Sequence, residues 1–264
     1  LYGERGAVYQ QRESGAIYNL YAGRTIPAFA YREMCNYYLN YDFSIVLTLL
    51  LCLYGIIGTF VSERETQMDM LLLVSPGGGR KTALAKILAA TLFLLLTSLW
   101  FSLLDLIGFA ASFQTLEGLA LPVFAIPSFA ESSVNLSIFQ YVLLSAALKC
   151  AGAWVMGMLW LLVSMFWKNA LLPFVINFAL CMALIVSGAA CAYSNFFWTK
   201  VLNPYSLLTN RVLLGKTEFI NLGGFPVLTW QAAIWFALIT GLVLAAAIYC
   251  LSAENCHRCV RRAK

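Results

Sequence analysis

The chain of 264 residues is 61% hydrophobic and only 11% charged, with a mean hydropathy of +0.79 and a formal net charge of +5. A soluble domain carries about 25% charged residues, so this composition excludes a water-covered globule and implies an all-α, polytopic membrane helix bundle. The basic residues are scattered through loops and ends rather than gathered on one face, which argues against nucleic acid as a partner.

Residues 1–42 contain eight of the thirteen tyrosines with balanced charges. They read as a folded or surface-lying segment outside the membrane. Five stretches then reach the roughly 20 apolar residues that a membrane helix needs: 43–62, 87–111, 136–167, 170–193 and 230–251. The third is too long for one untilted span, so it either opens with an interfacial helix or crosses steeply. Only Lys168 and Asn169 separate it from the fourth, which predicts a tight hairpin. Residues 252–264 form a basic tail.

Lys and Arg placement orients the bundle. The loop after the first span (Arg64, Arg80, Lys81, Lys86), Lys168 and the tail put nine basic residues on one side, against seven on the other. Without the long segment 1–42 the ratio is nine to three. This places 63–86 and the C-terminus in the cytoplasm and 1–42 outside the cell. An outward residue 1, which is Leu rather than Met, predicts a sixth span upstream. No signal peptide pattern is visible.

Catalytic and metal chemistry find little support. Most cysteines lie in apolar runs, where they act as small hydrophobes. Cys256-His257-Arg258-Cys259 lacks the second pair of a zinc site, so no metal is expected. His257 is the only histidine and sits in the tail, outside any span. Gly77-Gly78-Gly79-Arg80-Lys81-Thr82 departs from a phosphate-binding loop, which needs Gly directly before Lys; it reads as a flexible hinge with a basic anchor. No catalytic residue is assigned.

Three other features stand out. Asp105 and Lys149 are ionisable residues within spans, suspect by default. Each lies 19 residues from a cytoplasmic-side lysine, roughly 28 Å along a helix, so they either pair near the outer boundary or snorkel separately. Small residues at Ala147/Ala151, Ala153/Gly157 and Gly241/Ala245 permit close helix approach. Residues 194–229 are too apolar for a water-filled loop: short helices around Asn203, Pro204 and Tyr205, dipping into the outer leaflet against protein, would serve as an external gate or as a surface cap.

The stretch Glu63-Arg64-Glu65, Met68-Asp69-Met70-Leu71-Leu72, Ser75-Pro76, Arg80 and Lys86 resembles the cytosolic loop of permease subunits of type-2 ABC exporters. Asp69 stands where that family usually has Glu, and Gly77 to Gly79 make the turn more glycine-rich than usual. The resemblance covers about residues 43–251, with 63–86 its most specific part. It implies a coupling helix seated in a cleft of a separate ABC ATPase subunit. Glu63, Arg64, Glu65 and Asp69 would supply polar contacts, Met70, Leu71 and Leu72 would fill the groove, and Pro76 would end the helix.

The same resemblance implies ATP and Mg bound by that partner, with no cofactor in this chain. It also implies a second permease copy or related permease subunit, and a multi-pass location in a cell membrane of the bacterial plasma-membrane kind. Few charges line the spans, which favours export of an amphipathic or hydrophobic substrate such as a peptide antibiotic or drug. A non-transporting sensor or assembly scaffold, and an ion-coupled carrier or channel, are the alternatives.

Overall fold

The computed structural model describes residues 2–26, 32–68, 78–167, 169–192 and 197–262, with the backbone alone at 2–5, 7, 78, 79, 191, 192, 197 and 253–262. It is an all-α polytopic bundle with one small hairpin. Five of its helices are long and apolar enough to cross a membrane. These are α3 (Phe43–Glu65), α4 (Gly78–Phe113), α5 (Ile138–Ser164), α6 (Leu171–Ala192) and α10 (Thr229–Arg262). Shorter helices precede and interrupt them: α1 (Tyr2–Tyr21), α2 (Glu33–Leu39), α7 (Phe197–Leu202), α8 (Pro204–Thr209) and α9 (Arg211–Leu214). The end of the bundle where α3 stops and α4 starts is the junction end; the opposite end, covered by the short elements, is the cap end.

Several helix limits differ from the sequence reading. Glu63, Arg64 and Glu65 form the last turn of α3 rather than opening a separate amphipathic piece. Gly78 and Gly79, expected as a hinge, begin α4, because Arg80 to Lys86 are mostly good helix formers that extend the span backwards. The third span is one uninterrupted helix of 27 residues, roughly 40 Å long, with no interfacial preface. Its start is fixed by a capping box, in which the Ser137 side chain accepts from the Gln140 N–H and Gln140 answers at Ser137. The stretch 252–262, expected as a tail, continues α10, since no Gly or Pro follows Gly241 to stop it.

Helix α5 is the axis of the bundle and packs against α3, α4, α8 and α10. Its small residues set those distances. A methyl group at Gly157 would strike the Leu94 side chain and crowd Ile56, and one at Gly241 would strike the Trp154 ring. The predicted small-residue motifs at Ala153/Gly157 and Gly241/Ala245 thus lie where helices touch. Trp160, Met156, Leu94, Leu53 and Ile56 fill the bundle core.

A second core occupies the cap end, around Val123, Ile126, Phe129, Tyr141 and Leu214. Residues 117–129 wind through three short 3-10 turns (Glu117–Ala120, Val123–Ala125, Pro127–Phe129) that leave many carbonyls without helical partners. Arginines of the N-terminal segment meet carbonyls within and just after these turns. Arg24 donates to the Asn135 side chain at 2.8 Å and to the carbonyls of Ala130 and Ser132 at 3.1 and 2.8 Å. Arg32 donates to the Ala125 carbonyl at 2.9 Å. Arg12 donates to the Gly224 carbonyl at 3.0 Å and lies over the Phe225 ring.

Gly224 belongs to the hairpin of β1 (Phe219–Leu222) and β2 (Phe225–Leu228), paired antiparallel from Phe219↔Leu228 to Leu222↔Phe225. Its turn needs positive φ at both central residues, and Gly223 (64°) and Gly224 (93°) supply it.

Candidate functional site

The Glu63-Arg64-Glu65 triplet lies where four spans meet. Each side chain leaves the last turn of α3 toward a different neighbour. Glu63 pairs with Lys86 of α4 at 2.5 Å, and the same ammonium sits 4.1 Å from the centre of the Phe60 ring. Arg64 donates to the Trp167 carbonyl at 3.0 Å, just past the end of α5. Glu65 accepts the Ala170 N–H at 3.0 Å, at the entrance to α6.

The signs follow helix electrostatics. The C-terminal end of a helix exposes carbonyls and carries partial negative charge, while the N-terminal end exposes N–H groups and carries partial positive charge. Arg64 therefore meets the exit of α5 and Glu65 the entrance of α6, one residue apart on α3. The chain then leaves α3 abruptly: Gln67 adopts φ 56°, a left-handed conformation uncommon for a residue with a side chain. Of the coupling residues expected from sequence, the structure thus gathers Glu63, Arg64 and Glu65 into contacts within the chain. Asp69, Met70, Leu71, Leu72 and Pro76 lie outside the described residues.

Asp105 and Lys149 come to one polar node at the cap end of α3. Asp105 of α4 accepts the Ser44 hydroxyl. Lys149 of α5 lies within electrostatic reach of Asp105 and of Asp42, yet makes no ion pair within 4.0 Å among the described residues. Asp42 instead pairs with Arg211 of α9 at 3.1 Å. Direct pairing of Asp105 with Lys149, one of the two expectations, is not the observed geometry.

Asn203, Pro204 and Tyr205 start a helical insertion that descends among the spans. The Asn203 side chain donates to the Leu184 carbonyl at 2.9 Å and the Ser187 hydroxyl at 3.1 Å, both on α6, and accepts the Tyr205 N–H at 3.0 Å. It thereby caps α8 and anchors it in one step. On the opposite side, Gly152 leaves room for the Pro204 carbonyl, which a methyl group there would approach to 2.9 Å. Gly152 is roughly 21 Å along α5 from Ile138, so α8 reaches deep into the bundle. Asn210, at φ 50°, turns the chain into α9 and donates to the Ser145 hydroxyl at 2.6 Å. A merely superficial cap does not describe this segment.

Sequence reasoning missed Ser44, Thr48, Ser98 and Ser102, which surround Lys149, and Gly152. The signal was present. Ser98, Ser102 and Asp105 recur at i, i+4 and i+7, one face of a helix, and Ser44 and Thr48 repeat the spacing on α3. Among the described residues, no group of three His, Cys, Asp or Glu side chains is placed to hold a metal ion. Compared with known proteins, the chain matches no family model and no curated sequence.

Proposed function

We propose that this chain is the permease subunit of an ATP-driven exporter of amphipathic or hydrophobic substrates. A separate ATPase subunit holds ATP and Mg, and a second permease copy or a related one completes the path. The observation that carries this reading is the junction itself. Residues 66–77 link the end of α3 to the start of α4 in sequence, and the triplet that precedes them is bonded to α4, to the exit of α5 and to the entrance of α6. A load applied to that segment from the cytoplasm reaches four of the five spans through three short contacts. Such an arrangement suits a membrane subunit moved by the work of another protein.

The resemblance of 63–86 to the coupling loop of type-2 ABC exporters points the same way. On this reading the triplet transmits motion, while the segment that includes Asp69 to Leu72 meets the ATPase. The test is affinity purification of the full chain from its native membrane. An ATP-hydrolysing subunit should co-purify in stoichiometric amount, and Leu71→Asp with Leu72→Asp should release it. A complex without an ATPase, or one indifferent to that double substitution, would sink the proposal.

A further inference from the structure

The polar node around Lys149 has a hydrogen-bond arithmetic that its own side chains do not complete. Lys149, Ser44, Thr48, Ser98 and Ser102, together with the apolar Ile45 and Phe101 and with Leu208 of α8, line a cavity of about 10 Å³. That is room for the centre of one water molecule and little else. The ammonium brings three donors and no acceptor, and among the described residues it finds no hydrogen-bond partner. The Ser98 hydroxyl is buried and likewise without a partner. Leaving the buried Ser98 donor unmet is costly, while the ammonium is only half-buried.

The surrounding hydroxyls are oriented to receive. Thr48 spends its proton on the Ser44 carbonyl and Ser102 on the Ser98 carbonyl, each at 2.8 Å. Ser44 spends its own on Asp105. All three oxygens therefore keep lone pairs for an incoming donor.

We infer that the cavity is a binding site for a single structural water that joins Lys149 to Asp105. The water accepts from the Lys149 ammonium and from the Ser98 hydroxyl. It donates to Ser44 and to one of Thr48 or Ser102. All four of its hydrogen bonds are met, within the usual range for a buried water. The chain of donors then runs in one direction, from the ammonium through the water and the Ser44 hydroxyl to the Asp105 carboxylate. The result is a water-bridged ion pair that ties α3, α4 and α5 together beneath the inserted helix. This inference does not depend on the proposed function.

A double-mutant cycle on the purified full chain tests it. Ser98→Ala removes one donor to the water and should lower the melting temperature by about 2–4 °C. In a Lys149→Met background, where the ammonium no longer needs the water, the same substitution should change it by less than about 1 °C. Equal losses in both backgrounds, or no loss in either, would overturn the assignment. Should Lys149→Met not fold, a structure of the unmodified protein at a resolution that shows ordered solvent decides alone. One density peak shared by Lys149, Ser98 and Ser44 supports the site; a dry cavity, or Lys149 in direct contact with Asp105, overturns it.

Discussion

The two ends of the bundle are secured by opposite means. At the cap end a buried apolar core, with Phe129 and Ile126 fully enclosed, is overlaid by arginines that saturate loop carbonyls. At the junction end the bundle core, with Val61, Trp160 and Leu161 fully enclosed, is closed off by charge contacts instead. Three successive charged side chains on one helix turn hold the neighbouring spans, and the Glu63 and Lys86 side chains keep 28% and 11% of their surface exposed. Burial is lost only by unfolding, whereas a few part-exposed charge contacts exchange readily with water. The junction's charged ties are therefore its yielding part, whereas the cap is held by burial.

The largest effect that would sharpen this contrast is expected in the cap core. Phe129→Ala removes a ring that packs edge-on against Tyr141, and should cost about 3–5 kcal/mol, read as a lowered midpoint in thermal or denaturant unfolding. A loss below about 1 kcal/mol, within the range of an exposed substitution, would show that the cap is not the rigid element.

Next comes Arg24, whose guanidinium serves three acceptors and stacks on Tyr21 at 4.0 Å. Because the side chain is partly solvated, Arg24→Ala should cost about 2 kcal/mol and Arg24→Lys nearly as much, since an ammonium lacks the fork that reaches several acceptors at once. Limited proteolysis should show residues 1–26 cut faster in both variants, with the bundle intact. Full rescue by lysine would reduce the contact to simple charge.

The bundle was legible in the sequence because lipid imposes a length and a composition on every span, and all five were marked by them. Their limits were not. Hydropathy sees the end of an apolar run, whereas α4 and α10 continue into polar residues that still favour helix. The junction illustrates a deeper limit. Glu63 and Lys86 are both charged and could have been matched, but Arg64 and Glu65 bond to the backbone of Trp167 and Ala170, and a carbonyl or an amide leaves no trace in side-chain identity. The hairpin does leave a trace in the sequence, since Gly223-Gly224 between apolar strands is a standard turn signal. At the node, Asp105 and Lys149 drew notice as charges, while the hydroxyls that organise them passed as unremarkable serines in apolar helices.

Within the junction, Glu65 should matter more to stability than Glu63. Glu65→Ala strips the entrance of α6 of its acceptor and should cost about 1 kcal/mol, typical of a lost N-terminal cap. Glu65→Gln should recover most of it, because an amide oxygen still accepts the Ala170 N–H. If glutamine fails to recover the loss, the carboxylate acts through its charge rather than as a cap.

The smallest stability effect belongs to the Glu63–Lys86 pair, and it separates a fastening from a linkage. Glu63→Gln and Lys86→Met should each cost less than about 1 kcal/mol, the range of solvent-screened ion pairs, and their double mutant should cost less than the sum of the two. Function should respond differently. If the triplet conveys load from residues 66–77 to α4, cutting this tie while leaving Arg64 and Glu65 in place should uncouple ATP hydrolysis from export. ATPase activity of the purified complex would persist while substrate efflux from proteoliposomes fell by about tenfold, a change of about 1.4 kcal/mol in coupling. The charge-reversed double mutant, Glu63→Lys with Lys86→Glu, should restore part of the efflux. An intact efflux rate in Glu63→Gln would mean that the junction only fastens the spans, and that motion enters the bundle elsewhere.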